Sequence, residues 1–454
     1  MIIALIIIVF GALAYLAWRK PFWALLLLVA LIPFHAFIVT YLTYLFKVSP
    51  NQNFWLAFWK EWLLLILILR LIFGAIKNKK FPFKILLLDK LIIALFVLSV
   101  LSILWGTKNL TQGIWGLRYD FEFLVIYWIV RALNLERAEI IKLVKVMLGA
   151  AAVVVVFGIL LAWWLPPNFL ERYGYSYALG WSPEISLQSN QVIGSFTEGT
   201  ARHRIISTLA GPNQLGSYLV IIIALATSLA IFAKGNQVKI FSAFLALASL
   251  ISLYYTYSRS AWLAVLVSIL LIVGFWLGRK VIWFSLVLIG FLLIAWGLSR
   301  MGALGNWFEV VLSRDSTTGH WEGIIKTWQA IKNHPLGLGI GRAGPLTLRF
   351  PQNGVLVNES WHWQILTEVG FLGFGLWIWI LVEIYRNLVR IYQKIAEDRF
   401  LKSVLVGAIA AFSGLLVHGF FLHTWTDIST VVTMWVLVGV SFGLIENKTA
   451  EAKC

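Results

Sequence analysis

The residues from Ile240 to Gly278 read IFSAFLALASLISLYYTYSRSAWLAVLVSILLIVGFWLG, and Arg259 is their only charged side chain. As one helix, these 39 residues would extend about 58 Å at ~1.5 Å per residue, whereas the hydrocarbon core of a bilayer is ~30 Å thick. The stretch therefore predicts two membrane-spanning helices joined by a tight turn at Ser258-Arg259-Ser260. An arginine held at such a turn is suited to binding an anion.

Composition places the whole chain in a membrane. Of its 454 residues, 60% are apolar and 13% are charged. The apolar runs lack the alternation of barrel strands, so we predict an all-α polytopic bundle, with residues 1–454 as a single integral membrane domain. The net charge of +17 is explained by basic cytoplasmic loops rather than by nucleic acid. The single cysteine, Cys454, and the histidine spacing indicate no metal site, and no cofactor is expected.

The apolar runs predict about 12–13 spans. They lie near 2–18, 22–40, 54–76, 87–105, 117–134, 143–165, 213–233, 240–257, 261–278, 281–298, 363–385, 402–422 and 427–445. The second is the weakest, because Pro33 and His35 interrupt it. Of the 37 lysines and arginines, 21 fall in short connections, which are then cytoplasmic. Two long loops, 166–212 and 299–362, and the Arg259 turn are then external. The N-terminus is also external, unless the weak second span is not real.

The first external loop ends in a basic stretch. Arg202, His203 and Arg204 precede Gly211-Pro212-Asn213, which is turn chemistry directly before a span. Two arginines and a histidine at this point are able to bind an anion together with the helix N-terminus. A solvated basic stretch near anionic headgroups is an equally good interpretation of this segment alone.

The second external loop predicts an amphipathic helix followed by a turn. Apolar residues recur at helical spacing within residues 320–331, and we expect this helix to lie on the membrane or to cap the bundle. Pro335 marks its end. The following Gly337-Leu338-Gly339-Ile340-Gly341-Arg342 lacks the context of a nucleotide-binding loop, so we predict a flexible turn that carries Arg342.

Titratable groups cluster where two of the spans begin. Glu359 and His362 are three residues apart and share a helix face, where partial burial would suit Glu359 to act as a general base. Alternatively, Glu359 caps the helix and His362 sits in the interfacial belt. Arg118 begins the fifth span with Asp120 and Glu122, and these three form an outer polar cluster or merely pair with one another.

Four segments together resemble the bacterial O-antigen ligase and O-antigen polymerase superfamily. They are Arg204–Gly216, Thr256–Leu263, His334–Gly341 and Glu359–Gly373, in the family's order. The resemblance is strongest over a core of about 200–380. Before this core, the chain resembles the family only as a run of spans.

The resemblance implies a GT-C-like helical fold in the bacterial inner membrane, with its active face on the periplasmic side. It implies an inverting, metal-independent transfer of a glycan from an undecaprenyl-pyrophosphate carrier to a hydroxyl of a glycan, lipid or protein acceptor. Arg204 and Arg259 would bind the pyrophosphate. Glu359 stands at the family's histidine position with His362 nearby, and the accessory candidates are His320, Arg342 and Arg118.

Two departures from the family pattern bear on the reaction. Glu359 and Ser360 replace the ligase-type histidine and asparagine, and His320 stands where many members carry an arginine. Both favour a polymerase or general glycan transferase over a lipid A-core ligase. The alternatives are a transporter or flippase for a lipid-linked glycan and a non-catalytic family member. Transport is disfavoured because the charges cluster at span ends and no repeat is visible.

Overall fold

A computed structural model describes residues 2–107, 109–166, 168–175, 204–278, 314–348, 350, 360–395 and 398–451. Over these residues the chain is helical and contains no β-strand, which confirms the predicted all-α bundle. The helices in chain order are α1 Ile2–Arg19, α2 Pro21–Leu31, α3 His35–Phe46, α4 Pro50–Ala57, α5 Trp59–Asn78, α6 Leu87–Ser102, α7 Leu110–Phe121, α8 Val125–Ala132, α9 Arg137–Trp163, α10 Pro212–Phe232, α11 Asn236–Thr256, α12 Arg259–Leu277, α13 Arg314–Asn333, α14 Trp361–Lys394, α15 Arg399–Gly419 and α16 Ile428–Glu451.

Eight helical runs among the described residues are long and apolar enough to cross a membrane. The weak second span is one of them, because a short 3₁₀ turn at Ile32–Phe34 joins α2 to α3 in one run from Pro21 to Phe46. The predicted span 117–134 instead begins earlier and is broken, since a 3₁₀ turn at Glu122–Leu124 separates α7 from α8. The predicted span 281–298 lies outside the described residues.

The helical hairpin predicted around Arg259 is confirmed. α11 ends at Thr256 and α12 begins at Arg259, so only two residues form the turn. Tyr257 takes a left-handed backbone conformation with φ of 51°. The Thr256 hydroxyl accepts a hydrogen bond from the backbone N–H of Ser258 at 3.1 Å. These contacts reverse the chain within one helical turn.

The centre of the bundle is α10, which is buried along most of its length. It packs against α11, α12 and α15, and its apolar side chains from Leu219 to Leu225 are fully buried. Ser228 on α10 donates a hydrogen bond to the backbone oxygen of Ser403 on α15 at 2.7 Å. Because α10 begins directly after Arg204–Gly211, the central helix fixes where that segment lies.

The glycine-rich stretch is not a flexible turn, so that prediction is wrong. Residues 337–344, which we call the glycine segment, are almost entirely buried between α6, α7 and α14. At Gly341, with φ of +79°, an added Cβ would lie 2.7 Å from the backbone oxygen of Gln112. Only glycine fits there without displacing the neighbouring backbone.

Hydrogen bonds from distant residues hold the glycine segment. The Thr107 hydroxyl donates to the oxygen of Ile340 at 2.6 Å, and the Gln112 amide donates to the oxygen of Gly341 at 2.9 Å. The N–H of Ile340 donates to the Ser102 hydroxyl at 2.9 Å. Irregular backbone at membrane depth is stable only when protein groups satisfy its polar atoms. Here they do, and the segment is part of the core.

Candidate functional site

The turn between α11 and α12 brings the two predicted anion-binding arginines together. Arg204 donates from Nε to the Thr256 backbone oxygen at 2.7 Å and from Nη2 to the Asn213 side-chain oxygen at 2.8 Å. The first contact satisfies a carbonyl at the C-terminus of α11. The N–H of Ile205 also donates to the oxygen of Tyr255 at 3.1 Å. Arg204 is therefore fixed against the turn that carries Arg259.

Two helix N-termini meet at the same place. α10 begins at Pro212 and α12 begins at Arg259, and an added Cβ at Gly216 would lie 2.8 Å from the Cβ of Ala261. The absence of a side chain at Gly216 thus lets the first turns of the two helices pack closely. Each N-terminus presents backbone N–H groups and a partial positive charge. Together with the two guanidinium groups, they form a positive site suited to a phosphate or pyrophosphate.

The electrostatic state of Arg204 reflects this crowding of positive charge. Burial, and secondly the charge of Arg259, lower the pKa of Arg204 to about 10. Arg204 remains protonated at neutral pH. Both of its hydrogen-bond acceptors are uncharged oxygens. An anion bound between the arginines would relieve their repulsion, so the site favours negative charge.

The candidate general base cannot be placed. Glu359 lies outside the described residues, and for His320 only the backbone, within α13, is described.

His362 is buried and both of its ring nitrogens are engaged. Nδ1 accepts a hydrogen bond from the Trp377 indole at 3.1 Å, and Nε2 lies 3.0 Å from the Leu416 oxygen. These partners require a neutral ring protonated on Nε2. Because Leu416 lies on α15, the His362 ring holds α14 against α15.

Arg118 joins a buried charge cluster that sequence reasoning found only in part. Its Nε lies 3.1 Å from Glu122, and its Nη2 bonds Glu61 on α5. Lys60 is 2% exposed and lies 2.7 Å from Glu61. The predicted pairing of Arg118 with Glu122 is present, whereas Lys60 and Glu61 were missed because they lie more than fifty residues away.

Asp120 has a different partner from its neighbours Arg118 and Glu122. It accepts a hydrogen bond from the Gln364 amide at 3.2 Å, and its carboxyl group neighbours that of Glu368. Glu368 Oε1 in turn accepts from the N–H groups of Gly341 and Ala343, both at 3.0 Å. Through these two bonds Glu368 anchors the glycine segment to α14.

Arg342 sits in the anchored glycine segment rather than on a mobile turn. It is half-buried, and its Nη1 lies 3.4 Å from the oxygen of Gly106. Among the described residues, no group of three or more histidine, cysteine, aspartate or glutamate side chains is arranged to hold a metal ion.

Fold and site together define a class: a polytopic helical membrane protein with two arginines juxtaposed at one end of the bundle. Residues 244–378 match the O-antigen ligase family. The resemblance seen in the sequence is thereby confirmed over this range, and the match supports a role in polysaccharide assembly. The match includes Arg259 and the glycine segment and leaves Arg204 outside. A search among curated proteins gave no match.

Proposed function

We propose that the protein transfers a glycan from an undecaprenyl-pyrophosphate carrier to a hydroxyl acceptor, with the site on the external face of the bacterial inner membrane. The observation that carries this proposal is the arginine pair, because Arg204 is anchored to the turn that bears Arg259. A lipid pyrophosphate leaving group gains negative charge as its bond to the sugar breaks. Two guanidinium groups and two helix N-termini stabilise that charge without requiring a metal.

The reaction follows from this assignment. The acceptor oxygen attacks the anomeric carbon, the carbon–oxygen bond to the pyrophosphate breaks, and the configuration inverts. A base removes the proton of the acceptor hydroxyl, and Glu359 is proposed for this step. His362 is proposed as a positioning residue, since its nitrogens already bind Trp377 and Leu416.

Glycan transfer by the purified full-length protein tests the proposal. Arg259→Ala and Arg204→Ala are each expected to lower the rate about 10²–10³-fold, the loss typical of removing one oxyanion-hole donor. Arg390→Ala is the matched control, since it removes an exposed arginine near the C-terminus of α14, far from the end that begins at Trp361.

Donor turnover separates the proposed enzyme from its alternatives. A transporter or a non-catalytic family member would consume no lipid-linked donor in detergent. Full activity of Arg259→Ala would remove that arginine from the mechanism.

A further inference from the structure

Two adjoining cavities open at the end of the bundle opposite the Arg259 turn. One, of about 600 Å³, is lined by Arg19, Arg70 and Lys80 and by the rings of Trp18, Phe73 and Phe81. The other, of about 560 Å³, is lined by Lys20, Trp23 and Glu139 and again by Arg70. Since Arg70 lines both cavities, they form one basic groove, which we call the Arg70 groove.

The position of the groove follows from α9. This helix starts at Arg137, beside the groove, and near its other end the Trp163 indole donates a hydrogen bond to Tyr255 at 2.7 Å, next to the arginine turn. α9 has 27 residues, which corresponds to about 40 Å. The groove and the proposed catalytic site therefore lie on opposite faces of the membrane.

Arg70 is an unusual residue for its depth. It precedes the end of α5 at Asn78 by eight residues, or about 12 Å, and apolar residues occupy most of that interval. It is partly exposed, and its Nε donates to the Trp18 oxygen at 2.8 Å. No hydrogen bond from its two terminal nitrogens is found among the described residues. The Trp18 carbonyl satisfies one donor of Arg70, and its remaining donors at this depth are stabilised by water or an anion.

The charge of the groove specifies the ligand class. Among the described residues, its four cations Arg19, Lys20, Arg70 and Lys80 take part in no ion pair. The only acidic side chain lining the groove in this part of the chain, Glu139, accepts a hydrogen bond from the N–H of Glu136 at 3.0 Å.

Exposed rings flank these cations. Trp18, Phe73 and Phe81 are 42%, 55% and 58% exposed, and they offer an apolar surface beside the basic one.

We propose that the Arg70 groove binds the headgroup of an anionic phospholipid. The phosphate lies on the terminal nitrogens of Arg70, between the basic residues at the ends of α1 and α5, and the acyl chains run along the exposed rings. Basic pockets between membrane helices are known to select anionic lipids in this way. The inference is independent of the catalytic proposal, because it uses none of the residues of the arginine pair.

Binding to the purified full-length protein in detergent tests this site. Short-chain phosphatidylglycerol, phosphatidylcholine and inorganic phosphate are titrated separately, and the thermal unfolding midpoint and the bound lipid in native mass spectra are recorded. Phosphatidylglycerol is expected to stabilise the wild type, whereas phosphatidylcholine and inorganic phosphate are not. Arg70→Gln and Lys80→Gln are each expected to weaken phosphatidylglycerol binding about fivefold, the contribution of one basic residue near an anionic surface.

Lys80→Gln shows whether weaker binding in Arg70→Gln comes from a folding defect, because Lys80 is exposed and lies after the end of α5. Lys234→Gln is the matched control, since it removes an exposed lysine from the same end of the bundle outside the groove. Unchanged phosphatidylglycerol affinity in both groove variants would overturn the proposal. Equal stabilisation by inorganic phosphate would also overturn it, because the groove would then be a free-anion site.

Discussion

Replacing Glu368 by alanine is expected to release the glycine segment from α14. Glu368 Oε1 accepts hydrogen bonds from the N–H groups of Gly341 and Ala343, both at 3.0 Å. Each buried donor left without a partner costs about 1–3 kcal/mol. The two together should lower the free energy of local opening by roughly 4 kcal/mol, which corresponds to a change of about 10³ in the open population.

Trypsin cleavage after Arg342 reports this opening directly. When opening and closing are fast relative to cleavage, the cleavage rate follows the population of the open form. We expect Glu368→Ala to be cut about 10³-fold faster than the wild type. Cleavage after Lys80, which is exposed between α5 and α6, should keep its wild-type rate and serves as the internal control.

Glu368→Gln separates the hydrogen bonds from the charge. A glutamine oxygen still accepts both backbone N–H groups, and its amide places a hydrogen-bond donor beside Asp120. Cleavage after Arg342 should therefore stay within about tenfold of the wild-type rate. The reasoning is refuted if Glu368→Ala resists trypsin as the wild type does, or if Glu368→Gln is cut as fast as Glu368→Ala.

The remaining predictions concern two other carboxylates. Asp427 caps α16 through the N–H of Thr430 at 2.9 Å, and burial raises the pKa of Asp427 from 3.8 to about 6. The folded protein therefore favours the protonated form of Asp427. Its contribution to the free energy of unfolding is complete below pH ~4 and is lost as the pH rises to about 6, a change of at most about 3 kcal/mol. Asp427→Asn keeps a good cap and should flatten this pH dependence of thermal unfolding; equal pH slopes in variant and wild type would contradict the assignment. Arg131 is fully buried and lies 2.7 Å from Asp89, so Arg131→Met should destabilise the protein by about 3–5 kcal/mol in denaturant unfolding, and adding Asp89→Leu should recover part of that loss. A double variant as unstable as the single one would contradict the ion-pair account.

The features that sequence predicted well are those set by membrane thickness and local spacing. The hairpin at Arg259 was predictable because a run of 39 residues whose single charge is Arg259 is about twice the ~30 Å hydrocarbon core when helical. The pairing of Arg118 with Glu122 was predictable because residues four apart share a helix face. Asp120 lies two residues from each and faces elsewhere, which is why it meets Glu368 instead.

The glycine segment was misjudged for a physical reason. Glycine-rich composition indicates that the backbone is able to take unusual conformations, but it does not reveal whether its polar groups find partners. The partners here are Ser102, Thr107 and Gln112, more than two hundred residues earlier in the chain. A separation of 57 residues likewise hid Glu61, and with it Lys60, from the predicted Arg118 cluster.

Arg204 differs from the paired arginines of the bundle in what surrounds it. Arg118, Arg131 and Arg137 each contact a carboxylate, whereas the described partners of Arg204 are two neutral oxygens and its charged neighbour is another arginine. An anion between the two guanidinium groups would therefore relieve their mutual repulsion. In the proposed transfer, a leaving group that becomes more negative as its bond breaks would relieve that repulsion more than the bound donor does, so the stabilisation would be greatest in the transition state.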